Sequence, residues 1–275
     1  MCCGGKTMDV GAAQKRCLQY RRRILEISQT VTALHVAPAF SCIEITDLIY
    51  HELIRKDAKG KLIDSFIMSK GHGCLIQYVI LEALGILSRQ QLSEYCKPTG
   101  ILGAHPDYGI PGIEAATGSL GHGLGIACGM AYADKLQNID RITYVVLSDG
   151  ELQEGSTWEA IMMAANLQLD NLIVFLDLND FGGLARMSEG HPAFYPVIDK
   201  LHAFGWQAYA AEGHSSLAMY KIVQNKKMGS PTLLACNTIK GKGVSYMEAV
   251  PIWHYRSPNS QEYAQALQEL SELAL

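Results

Sequence analysis

The chain contains 275 residues, of which 48% are apolar and 18% charged, and its formal net charge at pH 7 is −4. A chain of this size buries one large core. Nucleic-acid-binding domains usually carry a strongly basic face that releases counterions from phosphates, so the negative charge argues against a nucleic-acid partner. The longest apolar runs, such as TYVVL and LIVFL, are far too short to span a bilayer, so we expect no membrane segment.

The eight cysteines bear on the cell compartment. They show no CxxC spacing and no signal peptide precedes them, so the sequence indicates neither a zinc knuckle nor a disulfide framework. We therefore expect a cytoplasmic protein.

The first half of the chain has a helical pattern. Residues 1–13 are predicted to form an N-terminal arm, and no linker or repeat divides residues 14–275, so we expect one domain there. Apolar periodicity predicts helices over 14–30, 43–54, 73–87 and, after a glycine-rich turn, 121–137. The three arginines at 21–23 lie in the first of these helices and are predicted to form a solvated face.

A strand, a helix and a second strand follow. Residues 143–147 and 172–176 are apolar, strand-like runs, and the helix between them places Met162 on its apolar face, so we expect Met162 and Met163 to pack in the core. The two strands of such a unit lie parallel. GWQAYAAEG and PTLLACNTIKGKG supply two more strands, with a helix near 216–226 between them. The fold class predicted is α/β: a doubly wound, mostly parallel sheet with helices on both faces.

Polar residues stand where the two strands of that unit end. Asp149 follows the first strand and Asn179 the second, and parallel strands bring their carboxyl ends to one edge of the sheet, where ligands gather. Carboxylate and amide oxygens suit Mg²⁺, and Gly150 lets the backbone approach a phosphate closely. The residues therefore predict a magnesium diphosphate site. A nicotinamide-dependent dehydrogenase stays open only if a strand leads into GxGxxG, and GSLGHGLGIACG follows no convincing strand.

The segment SDGELQEGSTWEAIMMAANLQLDNLIVFLDLND resembles the thiamine-diphosphate motif of transketolases. Further pieces agree in order: SKGHG at 69–73, GAHPD at 103–107, TGSLGHGLGIACGMA at 117–131, KGKG at 240–243 and WH at 253–254. The resemblance covers nearly the whole chain but includes neither the pyrimidine-binding domain nor the C-terminal domain of that family. It implies the separate N-terminal, diphosphate-binding subunit of a split transketolase-like enzyme.

The resemblance also implies roles for individual residues. Side chains of Asp149 and Asn179 and the carbonyl of Phe181 would hold Mg²⁺, or Ca²⁺ or Mn²⁺ in its place. The cofactor-binding set would be His72, Gly118, Ser119, Leu120, Asp149, Gly150, Glu151, Asn179, Phe181, Lys240 and His254. The catalytic set would be His35, His72, His105, Glu154 and His254. Within it, His35 and His105 would touch the hydroxyls of the ketose donor, and Glu154 would belong to a network that joins two cofactor sites across a dimer.

The activity implied is transfer of a two-carbon ketol unit from a ketose to an aldehyde, with sugars or sugar phosphates as substrates. In this family the glutamate that protonates the aminopyrimidine of the cofactor belongs to the pyrimidine-binding domain. We therefore expect a partner subunit that supplies this domain, an α2β2 heterotetramer, and no activity from this chain alone. Two alternatives remain: the α subunit of a 2-oxo acid dehydrogenase, which the histidines disfavour, and a degenerate, non-catalytic subunit.

The sequence departs from the family pattern at four places, one of which is the loop from Gly182 to Pro196. Ser148 replaces the first glycine of the Gly-Asp-Gly motif, which the backbone tolerates if no positive φ is needed there. Leu34 precedes His35 where the family usually has glycine, and Pro38 stands where it often has serine or glycine. Tyr255 follows the tryptophan–histidine pair where glycine is common, so we expect an altered lip of the site.

Overall fold

The computed structural model describes residues 8–31 and 34–273. The strands are β1 (Ser65–Met68), β2 (Thr143–Ser148), β3 (Leu172–Leu178), β4 (Phe181–Gly182), β5 (Ala185–Arg186), β6 (Gln207–Glu212) and β7 (Thr232–Asn237). The α-helices are α1 (Val10–Ser28), α2 (Val36–Ser41), α3 (Ile43–Leu48), α4 (Cys74–Ala83), α5 (Arg89–Ser93), α6 (Gly123–Leu136), α7 (Gly155–Asn166), α8 (Met187–Gly190), α9 (Val197–Ala203), α10 (Ser216–Gln224) and α11 (Ser260–Glu272). Short 3-10 turns cover Gly71–Gly73, Asp149–Gln153, Pro192–Phe194 and Pro251–His254, and a π turn covers Ile49–Leu53.

A five-stranded sheet lies at the centre, in the order β1-β2-β3-β7-β6. Every neighbouring pair in it is parallel, whereas β4 and β5 form a small antiparallel hairpin beside it. Strands that are covered on both faces read as continuous apolar runs, and β2 and β3 do so because nearly every residue in them is buried. The predicted α/β class is confirmed.

Helices cover both faces of the sheet, and successive residues of each strand point to opposite faces. Tyr144 and Ile173 join one apolar cluster, to which α1 to α4, α10 and α11 contribute. Val145 and Val174 join the other, to which α6, α7 and α9 contribute. The carboxyl edge of the sheet lies between these two helical layers and is where the site forms.

Three sequence predictions differ from the structure in the first half of the chain. Helix α1 begins at Val10, because the side chain of Asp9 accepts the N–H of Ala12 at 2.9 Å, so the end of the predicted arm is helical. Residues 1–7 of that arm lie outside the described residues. The short strand β1 was not predicted, because four buried residues show no alternation. Arg21 is buried, not solvated, and its guanidinium pairs with Glu44 at 2.7 Å.

The prediction that the methionine pair of α7 packs in the core is wrong. Met162 and Met163 are 43% and 53% exposed, whereas the buried side of α7 carries Thr157, Ile161 and Ala164. Both sides of the helix are apolar, so periodicity did not distinguish the core side from the outer one. Within the described part of the chain, we find no helix with the length and apolar character needed to cross a bilayer.

Candidate active site

Asp149 and Asn179 meet at the carboxyl edge of the sheet, as predicted. Asp149 begins the turn after β2, and Asn179 follows β3, the parallel neighbour of β2. The Asp149 carboxylate accepts three backbone N–H groups: those of Asn179 at 3.0 Å and Asp180 at 2.6 Å on Oδ2, and that of Gly150 at 2.8 Å on Oδ1. These bonds fix the carboxylate against the loop that follows β3.

The electrostatics of Asp149 fit a bound cation. Burial, followed by the nearby charge of Asp177, raises the pKa of this carboxyl to about 7. A divalent cation would offset the cost of keeping the buried carboxylate ionised. The Asn179 amide oxygen accepts the N–H of Phe181 at 3.0 Å, so the carboxylate and the amide both bond to the loop that follows β3. Among the described residues, no cluster of three or more His, Cys, Asp or Glu side chains is arranged to hold a metal, so this mixed set of oxygens is the candidate.

A buried polar layer lies beneath the Asn179 side chain. Lys70 forms an ion pair with Asp177, and the same carboxylate accepts the hydroxyls of Ser41, at 2.7 Å, and Thr238. The Asn179 amide nitrogen donates to Ser41 Oγ at 3.1 Å and to Asp177 Oδ2 at 3.3 Å. This layer therefore determines which way the amide points and leaves its oxygen on the side of the loop. The sequence alone assigned no role to these residues, although Lys70 lies in the SKGHG motif.

The loop after Asn179 is organised by Asp180. This residue has a φ of 69°, and its carboxylate accepts the backbone N–H of Ser188 at 2.8 Å and the hydroxyl of Tyr195 at 3.2 Å. A positive φ is strained for a residue with a side chain. These contacts therefore stabilise a backbone conformation of Asp180 that would otherwise be unfavourable. The loop thereby presents Phe181 and the β4–β5 hairpin to the edge of the sheet.

Four histidines from distant parts of the sequence form a cluster beside this edge. His35 lies at the start of α2, His72 and His254 lie in 3-10 turns, and His105 lies in the loop between α5 and α6. The ring centroid of His35 is 5.8 Å from those of His72 and His105 and 5.4 Å from that of His254. The structure therefore brings together all four histidines that the resemblance selected.

Burial and nearby positive charges keep the imidazoles of His35, His72 and His254 neutral. Burial, followed by the neighbouring His105, lowers the pKa of His35 to about 4. Burial, followed by Lys240, lowers the pKa of His254 to about 3, and the pKa of His72 is also well below its usual value. Neutral imidazoles can both donate and accept a proton, which suits proton transfer to and from a substrate.

Lys240 links the histidine cluster to the loop. Its ammonium is 2.9 Å from the carbonyl of Gly183 and 2.6 Å from Nδ1 of His254. Burial, followed by the charge of Lys70, lowers the pKa of Lys240 to about 8. A protonated lysine only donates, so His254 accepts on Nδ1 and carries its own proton on Nε2.

Two glycine-containing loops pack tightly next to the histidines. Gly118 has a φ of 131°, and a Cβ there would lie 2.8 Å from the ring of His105. A Cβ on Gly71 would lie 2.6 Å from the backbone nitrogen of Gly118. Ser119 is exposed and Leu120 half-buried on the same loop, and their cofactor contacts stay predictions.

The two glutamates of the predicted set lie in different surroundings. Glu151 is buried, and its carboxylate accepts Ser69 Oγ at 2.5 Å, the N–H of Gly121 at 3.2 Å and the N–H of Ser148 at 3.0 Å. These bonds give its side chain a positioning role between three segments, and a cofactor contact stays a prediction. Glu154 is exposed at the start of α7. Ser148 has a φ of −102°, so its backbone does not need the glycine of the family pattern.

Comparison with known proteins agrees with this geometry. The family model described as "Transketolase, thiamine diphosphate binding domain" matches residues 14–269. The chain is 36% identical over 273 residues to one of the subunits of the apulose-4-phosphate transketolase of Phocaeicola vulgatus, with 96% of each chain covered. It is 33% identical over 244 residues to the 6-deoxy-6-sulfo-D-fructose transketolase subunit SqwG of Clostridium sp., covering 86% of this chain and 88% of that one.

Longer transketolases match over a part of their length. Human transketolase is 34% identical over 263 residues, which are 91% of this chain and 41% of that protein. The solved transketolase of Campylobacter jejuni shares the fold with a TM-score of 0.87 at 24% identity, covering 96% of this chain and 43% of that one. The resemblance inferred from the motifs is confirmed, and the chain belongs to the transketolase family as its thiamine-diphosphate-binding part.

Proposed function

We propose that this chain is the diphosphate-binding subunit of a two-chain, thiamine-diphosphate-dependent transketolase-like enzyme. The enzyme transfers a two-carbon ketol unit from a ketose donor to an aldehyde acceptor. The observation that carries this proposal is the contact of Asp149 with the Asn179 loop at the carboxyl edge of the sheet, beside the four histidines. Coverage of 96% of the Phocaeicola vulgatus relative, itself one of several subunits, supports the two-chain arrangement.

The metal site in this proposal uses hard oxygen donors. Mg²⁺ is held by the side chains of Asp149 and Asn179 and by the carbonyl of Phe181, and Ca²⁺ or Mn²⁺ would accept the same donors. The next residue, Gly150, lets the backbone approach the diphosphate. The other proposed cofactor contacts are His72, Gly118, Ser119, Leu120, Glu151, Lys240 and His254. Among the residues that the structure describes, no cationic side chain is bonded to the buried carboxylate of Asp149, which supports this assignment.

The histidines perform the substrate chemistry. When bound, the cofactor supplies the reactive carbon and the electron sink for ketol transfer. His35 and His105 hold the hydroxyls of the donor near that carbon. His254 carries its proton on Nε2 and donates it, because Lys240 occupies its Nδ1. Neutral His72 stands beside His254, with ring centroids 5.4 Å apart, and accepts or donates a proton as the reaction requires.

Assembly into an α2β2 heterotetramer is supported by an exposed apolar surface. Helices α6 and α7 pack side by side, and their outer side presents Gly125, Ile126, Gly129, Met162 and Met163, which we call the α6–α7 face. Exposed apolar residues on neighbouring helices are a feature of protein interfaces. Glu154 lies exposed at the start of α7, on the same side of the sheet as this face, which suits its proposed place in a network between two cofactor sites. The pyrimidine-binding domain comes from the partner subunit, so this chain is inactive alone.

The domain and compartment assignments complete the proposal. Residues 14–275 act as one diphosphate-binding domain. The six cysteines in the described part of the chain are free thiols, which supports a reducing compartment, and we place the enzyme in the cytoplasm. The conjunction of Asp149, Asn179 and the neutral histidines argues against a degenerate subunit.

The metal role is tested with Asp149→Asn in the complex of this chain and its partner. The substitution keeps the size of the side chain but removes the charge that holds the cation. We expect the Mg²⁺-dependent affinity for thiamine diphosphate to fall by more than about 100-fold. Loss of a residue that only hydrogen-bonds a metal ligand already lowers metal affinity by about 10–100-fold. Retention is measured by calorimetric titration with thiamine diphosphate at several Mg²⁺ concentrations.

The same titrations on Asp199→Asn, a carboxylate on α9 away from the site, provide the matched control and should give wild-type values. Ketol transfer by the wild-type complex is measured with a panel of ketoses: apulose 4-phosphate, 6-deoxy-6-sulfofructose, xylulose 5-phosphate and fructose 6-phosphate. A folded Asp149→Asn complex with undiminished cofactor retention would remove the metal role. A wild-type complex that binds cofactor but transfers from none of these donors would contradict the transfer activity.

A further inference from the structure

Tyr255 is the outermost ring of the histidine cluster. It follows the 3-10 turn that ends at His254, and its ring centroid is 4.3 Å from that of His254 and 5.3 Å from that of His35. His254 is 7% exposed and His35 is partly buried, whereas Tyr255 is 56% exposed. The tyrosine ring therefore forms the mouth of the cluster, and the histidines form its interior.

The backbone on both sides of Tyr255 is anchored. Before it, Trp253 is buried and its ring packs 4.9 Å from that of Tyr246. After it, the Arg256 guanidinium lies 4.4 Å from the centre of the Trp253 ring and forms an ion pair with Glu262 of α11 at 2.5 Å. Trp253 and Arg256, on either side of Tyr255, are held by ring packing and by an ion pair. These contacts fix the backbone that carries the tyrosine ring.

A large ring at this position reduces the room beside His35 and His254. Pockets select substrates by excluding the wrong shape as well as by binding the right one. A glycine at this position would leave that space open. In the structure, the space beside His35 and His254 is bounded by an aromatic wall.

We propose that Tyr255 is a specificity-determining residue of ketol transfer, which limits the length of the acceptor aldehyde that can lie beside His35 and His254. The proposal rests on the proposed function and deepens it: the enzyme prefers short acceptors. It assigns the effect to the volume of the ring. Its hydroxyl forms no hydrogen bond within the described part of the chain, so Tyr255→Phe keeps the effect and Tyr255→Gly removes it.

The test uses the complex of this chain with its partner, loaded with thiamine diphosphate and Mg²⁺. One ketose that the wild-type complex accepts serves as donor, and glycolaldehyde, glyceraldehyde 3-phosphate and ribose 5-phosphate serve as acceptors of increasing length. We expect Tyr255→Gly to raise kcat/KM for the longest acceptor relative to the shortest by about tenfold, the usual effect of a small change in pocket size. Tyr255→Ala repeats the test with less backbone freedom, and Tyr255→Phe should keep the wild-type ratio.

Ile252→Gly provides the matched control, because Ile252 is 58% exposed on the same turn and the substitution loosens the backbone without removing the ring. It should keep the wild-type ratio. An unchanged ratio in Tyr255→Gly and Tyr255→Ala, with cofactor affinity intact, would overturn the inference while wild-type transfer still upheld the proposed function. A loss of activity toward every acceptor in Tyr255→Phe would also overturn it, because the hydroxyl would then be the active group. If the wild-type complex transferred to none of the acceptors, the proposed function would fail and this inference with it.

Discussion

His35, His72 and His254 combine burial with positively charged neighbours, and both effects favour the neutral imidazole. His35 and His254 have a pKa of about 4 and about 3, against an ordinary value of 6.5. At neutral pH these three imidazoles therefore add no charge next to Lys70 and Lys240. The positive charges beside these imidazoles are then those of the two lysines: Lys70 is buried against Asp177, and Lys240 contacts His254.

The titration of His35 predicts how the stability of the chain depends on pH. Its folded pKa of about 4 lies below the unfolded value of 6.5, so the unfolded chain takes up the proton first. The stability gained from neutral His35 is complete above the unfolded value and is lost as the pH falls through about 4. Between about pH 7 and about pH 4, we expect wild type to lose about 1–2 kcal/mol more unfolding free energy than His35→Gln, after allowance for partial exposure.

Urea unfolding of the isolated chain across this pH range measures the difference. His202→Gln, a substitution of an exposed histidine on α9, is the control and should follow the wild-type curve. Parallel curves for wild type and His35→Gln would mean that His35 is not held neutral by the fold.

At the scale of elements, the site depends on how closely β1 and α6 approach each other. A Cβ on Gly123, the first residue of α6, would lie 2.6 Å from the Cβ of Ser69, which follows β1. Ser69 in turn donates to Glu151 at 2.5 Å, and Glu151 accepts the N–H of Gly121. The glycine thus permits a contact that connects the segment carrying His72 to the turn after β2.

Gly123→Ala and Gly129→Ala should change stability in opposite directions. At Gly123 the added methyl overlaps Ser69 and its backbone, so we expect a loss of about 1–3 kcal/mol in unfolding free energy. At Gly129, in the middle of the same helix, a Cβ would meet nothing within 4 Å, and alanine should stabilise by up to about 1 kcal/mol through helix propensity. Thermal and urea unfolding of both variants checks this. A shift of the same sign in both would show that the close approach is not what requires Gly123.

The sequence was sufficient to predict those elements whose apolar pattern fits a single kind of secondary structure. The apolar runs of β2 and β3, bounded by turn residues, predicted parallel strands and hence the meeting of Asp149 and Asn179. The contact of Lys70 with Asp177 was not predictable, because the two residues are 107 apart in sequence and charged residues are usually exposed. The methionines of α7 were misassigned because this helix is apolar on its exposed side as well as on its buried side, so periodicity does not identify the side that packs in the core.

At the scale of the whole molecule, the two helical layers on either face of the sheet present different surfaces. The layer around α1, α4 and α11 contains the ion pairs of Arg21 with Glu44 and of Arg23 with Glu82. The other layer buries one side of α6 and α7 but leaves Met162, Met163 and Ile126 exposed on the α6–α7 face. The site also lies at an open edge of the sheet. Both features agree with a subunit that is completed by assembly.

Met163→Asp should break the proposed assembly without unfolding the chain. Met163 is 53% exposed, so a charge is tolerated in the free protein, whereas burial of an unpaired carboxylate in an interface is strongly unfavourable. We expect the association constant of the complex to fall by at least about tenfold, the effect of losing a central interface residue. Sedimentation velocity over a range of concentrations measures it. Met228→Asp, at a residue 77% exposed near the end of the loop before β7, is the control and should assemble as wild type does. If Met163→Asp assembled equally well, the α6–α7 face would lie outside the interface, and the partner would have to complete the site from another side.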